Sequence, residues 1–371
     1  MKRLIPFVMV TLIVASCTSS DSTYTVETID GVRYVHNHAP AWGEEPKVAL
    51  ELIRKFGEVG SEDESGYLFN PVDMVRDSRG NVYVLELTDA HIEKFAPDGT
   101  HLATIGTKGQ GPGEMMMPSK MEIDRNDNIV VYDTGNQRFQ VFSPEGEDLG
   151  SWRRERRLGL LRFLTTGDFV VETVQTDPNG PSHTFEKYDA ERNLKLTFGQ
   201  RFDFDDMEEK YLYQESCFSV TPDDNIVSAF ISANCVEKYS PDGALLFRAD
   251  RPLKFDPQFK VVTVTLPLPD AQPITMSLPG RSQVSQFIDI DHKGRIWIIT
   301  YKLDMVESLE NFTGELPEGR FELHILNSDG VFLGVIELPF DPRMFRIFGD
   351  RLYLIEAVNE MVVYEYRIVE L

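Results

Sequence analysis

Short runs of alternating apolar and polar residues recur along the chain, each passing into a cluster of Asp, Asn and Gly. Met121-Glu122-Ile123-Asp124 is one such run. It leads to a turn at Asp127-Asn128, and a β-branched and aromatic run, Ile129 to Tyr132, follows. A period of two puts alternate side chains on opposite faces of a strand, while the unbroken apolar run reads as a strand buried on both faces. Asp, Asn and Gly suit the tight or left-handed backbone between them. A second turn, a third strand ending near Phe142, a Pro-Glu-Gly turn and an outer strand complete a unit of four strands.

The unit repeats. Pro71–Val84 returns as Pro118–Val131 at an offset of 47, and Phe95–Gly99 returns as Phe142–Gly146 at the same offset. Asp224-Asn225-Ile226 and Tyr239–Gly243 lie 97 residues beyond their counterparts, which leaves room for one unit between. That unit is worn but visible in Gly167–Val170 and Tyr188-Asp189. A fifth reads Gly294–Trp297 then Leu326–Gly330, and a sixth Gly349–Tyr353 then Val362–Tyr364. Four antiparallel strands repeated at this period are the mark of propeller blades. The sixth unit stops at Leu371 after three strands, and Leu50–Gly57 resembles the strand that precedes blade two. The expected fold is therefore all-β, a six-bladed β-propeller of four-stranded antiparallel blades, closed by an N-terminal strand that completes the last blade and removes open sheet edges.

Gly109–Glu114, Pro118, Asp124, Asn128 and the run Asp133–Phe142 together resemble an NHL repeat. The whole layout is similar to the six-bladed propeller lipoproteins of Bacteroidetes-like bacteria, which commonly carry an N-terminal hairpin like Val26–Val35 with Asp30-Gly31 as its turn. The resemblance spans about residues 24–371 and implies a propeller in the cell envelope, with no assigned activity.

The N-terminus gives an address. Lys2 and Arg3 precede an apolar run, Leu4 to Val14, and then Val14-Ala15-Ser16-Cys17. This is a secretory signal peptide, too short in its apolar core to span a bilayer, and its end resembles a lipobox. Cys17 is the expected lipidation site, since two or more acyl chains anchor stably where one does not. Thr18 is not the Asp that signals inner-membrane retention, so the expectation is an exported outer-membrane lipoprotein facing the periplasm or the cell surface. The domains expected are residues 1–16 as signal peptide, 17–45 as lipidated tether and hairpin, and 46–371 as propeller.

Charge narrows the partners. Lys and Arg number 37 against 60 Asp and Glu, a formal −23; loss of Lys2 and Arg3 with the signal peptide takes it to −25. Such a surface repels phosphate backbones, so no nucleic-acid partner is expected. The one basic cluster, Arg153, Arg154, Arg156 and Arg157, reads as a solvated loop, with a docking patch for an acidic partner or lipid head groups as the sharper alternative. Cys217 and Cys235 fall on the first and third strands of one blade, a separation of about two 4.8 Å strand spacings that exceeds the roughly 7 Å reach of a disulfide, so a bridge is open to them only if both sit in loop ends.

Candidate chemistry is sparse. Glu86, Asp133 and Glu356 share one repeat position, the end of the second strand, with Thr173, Phe230 and Thr300 at the others. Carboxylates on one rim could converge at the channel mouth and suit a Ca²⁺-type ion, the arrangement of the gluconolactonase propellers, although none of that family's motifs is present. The plainer reading is that they satisfy turn amides. Asp89, Asn136, Asn234 and Asn359 recur in the second turn as expected left-handed residues. Arg138 is a packing residue with a lesser claim to a ligand. The Gly109–Glu114 loop lacks the Lys-Ser/Thr of a P-loop and reads as a blade crossover. The seven histidines do not supply an obvious zinc set, and no nucleophile elbow appears.

Three insertions break the rhythm: Phe202–Glu215, Pro252–Gln283 with a hairpin of Lys260–Leu266 and Ile274–Leu278, and Met305–Gly319. Insertions in repeat folds map to loops and to binding surfaces. The function expected is an envelope-anchored binding platform for a protein, peptide or glycan, without a cofactor. A metal-dependent hydrolase or lyase at the channel mouth is the alternative.

Overall fold

The computed structural model describes residues 22–57, 66–153, 158–173, 183–200, 215–266, 272, 274–310 and 317–371. The signal peptide, Cys17, Arg154, Arg156, Arg157 and all of the Phe202–Glu215 insertion except Glu215 lie outside them.

Six four-stranded antiparallel units follow one another as a propeller. Blade one is Pro71–Arg76, Val82–Glu86, His91–Phe95 and His101–Ile105. Blades two to five open with inner strands Pro118–Ile123, Leu158–Phe163, Ser216–Val220 and Ser285–Ile290. Blade six has Met344–Phe348, Arg351–Glu356 and Val362–Glu370, and its fourth strand is Val48–Phe56, paired antiparallel with Val362–Glu370. The ring is closed by a strand from the other end of the chain.

Second strands carry most of the burial. Every residue of Val82–Glu86, Phe169–Thr173, Ile226–Phe230 and Ile296–Tyr301 is buried. Their two faces feed the layers between blades: Met74, Val84, Met121 and Ile355 share one cluster, and Trp297, Ile299, Leu352 and Leu354 another. At about 1.5–3 kcal/mol for each large apolar side chain removed from water, these interblade layers dominate the stability of the ring. Trp297 is fully buried and spends its indole N–H on Asp291 Oδ2 at 2.9 Å.

The turns behave as their residues require. Gly80, Gly167 and Gly294 take positive φ in the first turn of their blades, and Asp127 and Asp224 replace glycine there. Those two aspartates have a second use. Asp127 accepts from Ser78 N at 2.9 Å and Ser78 Oγ at 2.6 Å, and Asp224 accepts from Thr165 N at 2.8 Å and Thr165 Oγ1 at 2.7 Å, so each clasps the preceding blade.

The hairpin Tyr24–Ile29 and Val32–Asn37, turning at Asp30-Gly31, does not stand apart as a tether. Val32–Asn37 pairs in parallel with Leu245–Ala249, the outer strand of blade four, and makes that sheet six-stranded. Asn37 fixes the junction. Its Nδ2 donates to Asp250 O (2.8 Å) and Gly330 O (3.0 Å), and its Oδ1 accepts from Phe332 N (2.8 Å). Gly330 sits at φ +83°, and a Cβ there would meet Phe247 at 2.9 Å, so a larger residue would be strained and would push the Phe247 ring aside. Cys217 and Cys235 are both free thiols.

Candidate functional site: the axial channel and its loop-bearing mouth

The two ends of the propeller differ. At one end, strands one and two, and strands three and four, are joined by five-residue turns such as Asp77–Asn81 and Ala96–Thr100; the exception is the two-residue Gly349-Asp350. The opposite end receives every blade-to-blade crossover and every link from second to third strand. It therefore takes the crossover holding the hairpin Phe259–Leu266 and Ile274–Arg281, and the link holding helix α1 (Met305–Glu310). The strands Leu194–Gln200 and Ser216–Val220, on either side of the undescribed residues 201–214, also meet this end.

Glu86, Asp133 and Glu356 stand on this rim, and each is occupied locally. Glu86 accepts from Phe69 N at 3.2 Å and Asn70 N at 2.7 Å; burial raises its carboxyl above the usual range while those two amides pull it down. Asp133 accepts from Met116 N at 2.7 Å, Asn136 Nδ2 at 2.6 Å and Arg138 Nε at 3.0 Å. Glu356 is wrapped by the amides of Val358, Asn359, Glu360 and Met361 at 2.6–3.3 Å. The structure does not bring the three together. Among the described residues no group of three or more His, Cys, Asp or Glu is placed to hold a metal ion.

Arg138 is a fastener. Its Nη2 donates to Gly111 O at 2.8 Å and Glu114 O at 2.6 Å, tying the glycine-rich crossover to blade two. The left-handed residues of the second turns of blades one, two and six are Ala90, Gln137 and Met361, one beyond the expected Asp89 and Asn136 and two beyond the expected Asn359; in blade two the Asn136 amide is spent on Asp133 and on Gly109 O at 2.9 Å. Asn234 likewise works through its side chain, donating to Arg251 O at 2.7 Å.

A set of charges that sequence reasoning missed lies on the inner strands. Asp73, Glu122 and Asp289 face Arg162 and Arg346. Glu122 Oε2 accepts from Arg162 Nη1 at 2.7 Å and lies 3.4 Å from Arg346 Nη1, and Arg346 Nε is 3.5 Å from Asp73 Oδ1. Asp73 and Asp289 also bridge blades through backbone, Asp73 Oδ2 to Met121 N at 3.0 Å and Asp289 Oδ2 to Ile347 N at 2.7 Å. Burial works against the charge on Arg346, but Asp73, Glu122 and Asp289 outweigh it and raise its pKa. Burial depresses Arg162, with Arg346 adding to the effect. The one available signal was at an equivalent position: Lys120 stands in blade two where Asp73 stands in blade one, 47 residues earlier.

The rim also exposes large apolar side chains. Phe69 (63% exposed), Met117 (62%), Val358 (73%) and Tyr67 precede inner strands or follow second strands of blades six, one and two, which are neighbours in the ring.

Fold and repeats define the class: this is a six-bladed β-propeller of the NHL-repeat type. The family model described as "DUF5128: 6-bladed beta-propeller" matches residues 62–162, blades one and two and the start of three. NHL repeat-containing protein 3 from Homo sapiens is 28% identical over 129 residues, 33% of this chain and 37% of that protein; the mouse protein of the same name is 28% identical over 109 residues. The chain thus matches about a third of the length of these curated relatives. Among solved structures, a DUF4221-family member from Bacteroides vulgatus is similar over 88% of this chain and 100% of its own (TM-score 0.59, 13% identity). A protein from Bacteroides fragilis is similar over 90% of this chain and 98% of its own (TM-score 0.57, 10% identity). At these identities the likeness is one of fold.

Proposed function

We propose that this propeller is a non-enzymatic binding platform of the bacterial envelope, exported and anchored to the outer membrane through lipid on Cys17, which presents its loop-bearing end to a protein, peptide or glycan partner. The observation that carries the reading is the asymmetry of the two ends. One is closed by short turns, and the other gathers the insertions and exposes Tyr67, Phe69, Met117 and Val358. Aromatic and Met side chains on a rigid rim are typical of protein contact surfaces, so a protein or peptide is favoured over a glycan. The acidic surface favours a partner of neutral or basic charge.

The test is affinity capture from envelope extracts with two variants. One replaces Tyr67, Phe69, Met117 and Val358 with Ser and shortens the Phe259–Arg281 hairpin to a turn. The control replaces the exposed outer-strand residues Leu102, Leu149 and Leu194 with Ser. Loss of the captured partner in the first alone supports the reading. Retention of every partner by the rim variant sinks it.

A further inference from the structure

The outer edge of blade four is built differently from the others. In every blade the outer strand pairs with the third strand through a register shift, as at Val141/Phe142 in blade two and Lys238/Tyr239 in blade four. Such bulges twist an edge away from a second sheet. Arg153, Lys195, and Arg54 with Lys55 add cations to the outer strands of blades two, three and six, a further guard against strand addition. On blade four the bulged strand Leu245–Ala249 is covered by the hairpin, so the free edge becomes Tyr24–Ile29.

That edge has none of these guards. It pairs with Val32–Asn37 in an unbroken register. It carries no Lys, Arg or Pro, and Thr25, Val26, Thr28 and Ile29 are β-branched, the residues that favour extended pairing. Thr25 to Ile29 are exposed, Val26 and Ile29 each at 45%. Among the described residues no strand pairs with the outer side of this one.

One bond sets the direction of its main-chain groups. His38 N donates to Thr23 O at 2.8 Å, and hydrogen-bonded positions alternate along an antiparallel pair. Thr23, Thr25, Glu27 and Ile29 therefore bond inward, while Tyr24, Val26 and Thr28 turn N–H and C=O outward. The Tyr24 carbonyl accepts from Ser22 Oγ and keeps a second lone pair.

This outward set is symmetric about Val26. A second Tyr24–Ile29 strand, laid antiparallel with a two-fold axis at Val26, sets Val26 opposite the second copy's Val26 and Tyr24 opposite its Thr28. Every outward N–H then meets an outward C=O. Thr25 falls opposite the second copy's Glu27, so no like charges face each other, whereas an axis at Glu27 would oppose two carboxylates. The net −23 of the chain works against self-association in general. Here the edge's one charge, Glu27, is offset by His36, whose Nε2 lies 3.1 Å from its Oε1.

We infer that this edge is where two copies of the chain join, as an antiparallel strand pair that runs their blade-four sheets into one. The edge lies on the circumference of blade four and not on the rim, so its failure would leave the platform reading untouched.

For the test, two full-length copies with different affinity tags are produced in the same cells. Each carries a photo-crosslinking amino acid at Thr28 or, as a control, at Leu102 on the bulged outer strand of blade one. A short strand pair makes a small interface, so it is read in place rather than after dilution. A product bearing both tags is expected from Thr28, several-fold above that from Leu102. Val26→Pro removes an outward N–H and no bond within the hairpin, and Val26→Lys sets two ammonium groups against each other at the axis. Both should bring the Thr28 product down to the Leu102 level while the melting temperature stays within about a degree of wild type. No doubly tagged product from Thr28, equal yields from Thr28 and Leu102, a product with some other protein only, or a product that survives Val26→Lys would each overturn the inference. Should Val26→Pro disturb the hairpin, Val26→Lys decides, since an exposed position takes lysine without loss of packing.

Discussion

Replacing Asp133 separates a rim carboxylate that ties the fold together from one that holds a metal. Asp133 is fully buried and takes three donors: Met116 N, Asn136 Nδ2 and the Arg138 guanidinium. In Asp133→Ala the amide of Met116 loses its acceptor, and Arg138, whose side chain is only 11% exposed, loses its counter-charge. Breaking a buried pair from one side costs about 3–5 kcal/mol, because the remaining charge is stranded. At this chain length that corresponds to a fall in melting temperature of about 4–7 °C. Calorimetry of wild type and Asp133→Ala, each in EDTA and in Ca²⁺, reads both the size and the metal dependence. The expected result is the same fall in both buffers and a wild-type melt unmoved by Ca²⁺. Asp133→Ala within a degree of wild type would refute the structural account, and a saturable Ca²⁺ rise lost in the variant would restore a metal role.

Two further outcomes follow from single side chains. His324 is buried against Phe332 with Nε2 2.9 Å from Glu322 Oε1, and burial lowers its pKa from 6.5 to about 4. The unfolded chain takes up that proton first, so this contribution is full above about pH 6.5 and is lost as pH falls toward 4, by up to about 3 kcal/mol. Denaturant melts at pH 7 and pH 5 should show a smaller loss in His324→Gln than in wild type, and equal losses would refute the assignment. Asn37→Ala removes three hydrogen bonds and strands the buried Phe332 amide, a cost of about 2–3 kcal/mol. Amide exchange should quicken across Tyr24–Asn37 while blades one and two stay protected; uniform protection would show that the hairpin is held by other contacts.

The strands, the six blades and the ring closure were legible because each rests on local alternation and turn chemistry repeated at a fixed offset. Blade three looked worn for a specific reason. Its last turn puts Arg192 at φ +72°, where the other complete blades use Gly99, Gly146, Gly243 and Gly330. Asp89, Asn136 and Asn359 were right as turn residues and off by one or two as the left-handed positions; in blade two the side chain of Asn136 was needed elsewhere. The channel charges were not legible. Asp73, Lys120, Arg162, Asp289 and Arg346 come from five inner strands far apart in sequence, and a polar residue in an alternating strand reads as solvent-facing until the ring places it on the axis. Nor could alternation announce that the hairpin docks in parallel on blade four, since that edge is chosen by Asn37 and its long-range partners.

The measurement that bears most directly on the binding-platform reading is site-specific photo-crosslinking in living cells. A crosslinking amino acid is placed at Phe69, Met117 or Val358 on the loop-bearing rim, and at the exposed turn positions Asp98, Glu145 or Asp242 on the opposite end. The account predicts a discrete crosslinked partner from the rim positions and none from the turns. Crosslinks from the turn positions alone, or none from any position in folded and exported protein, would contradict it.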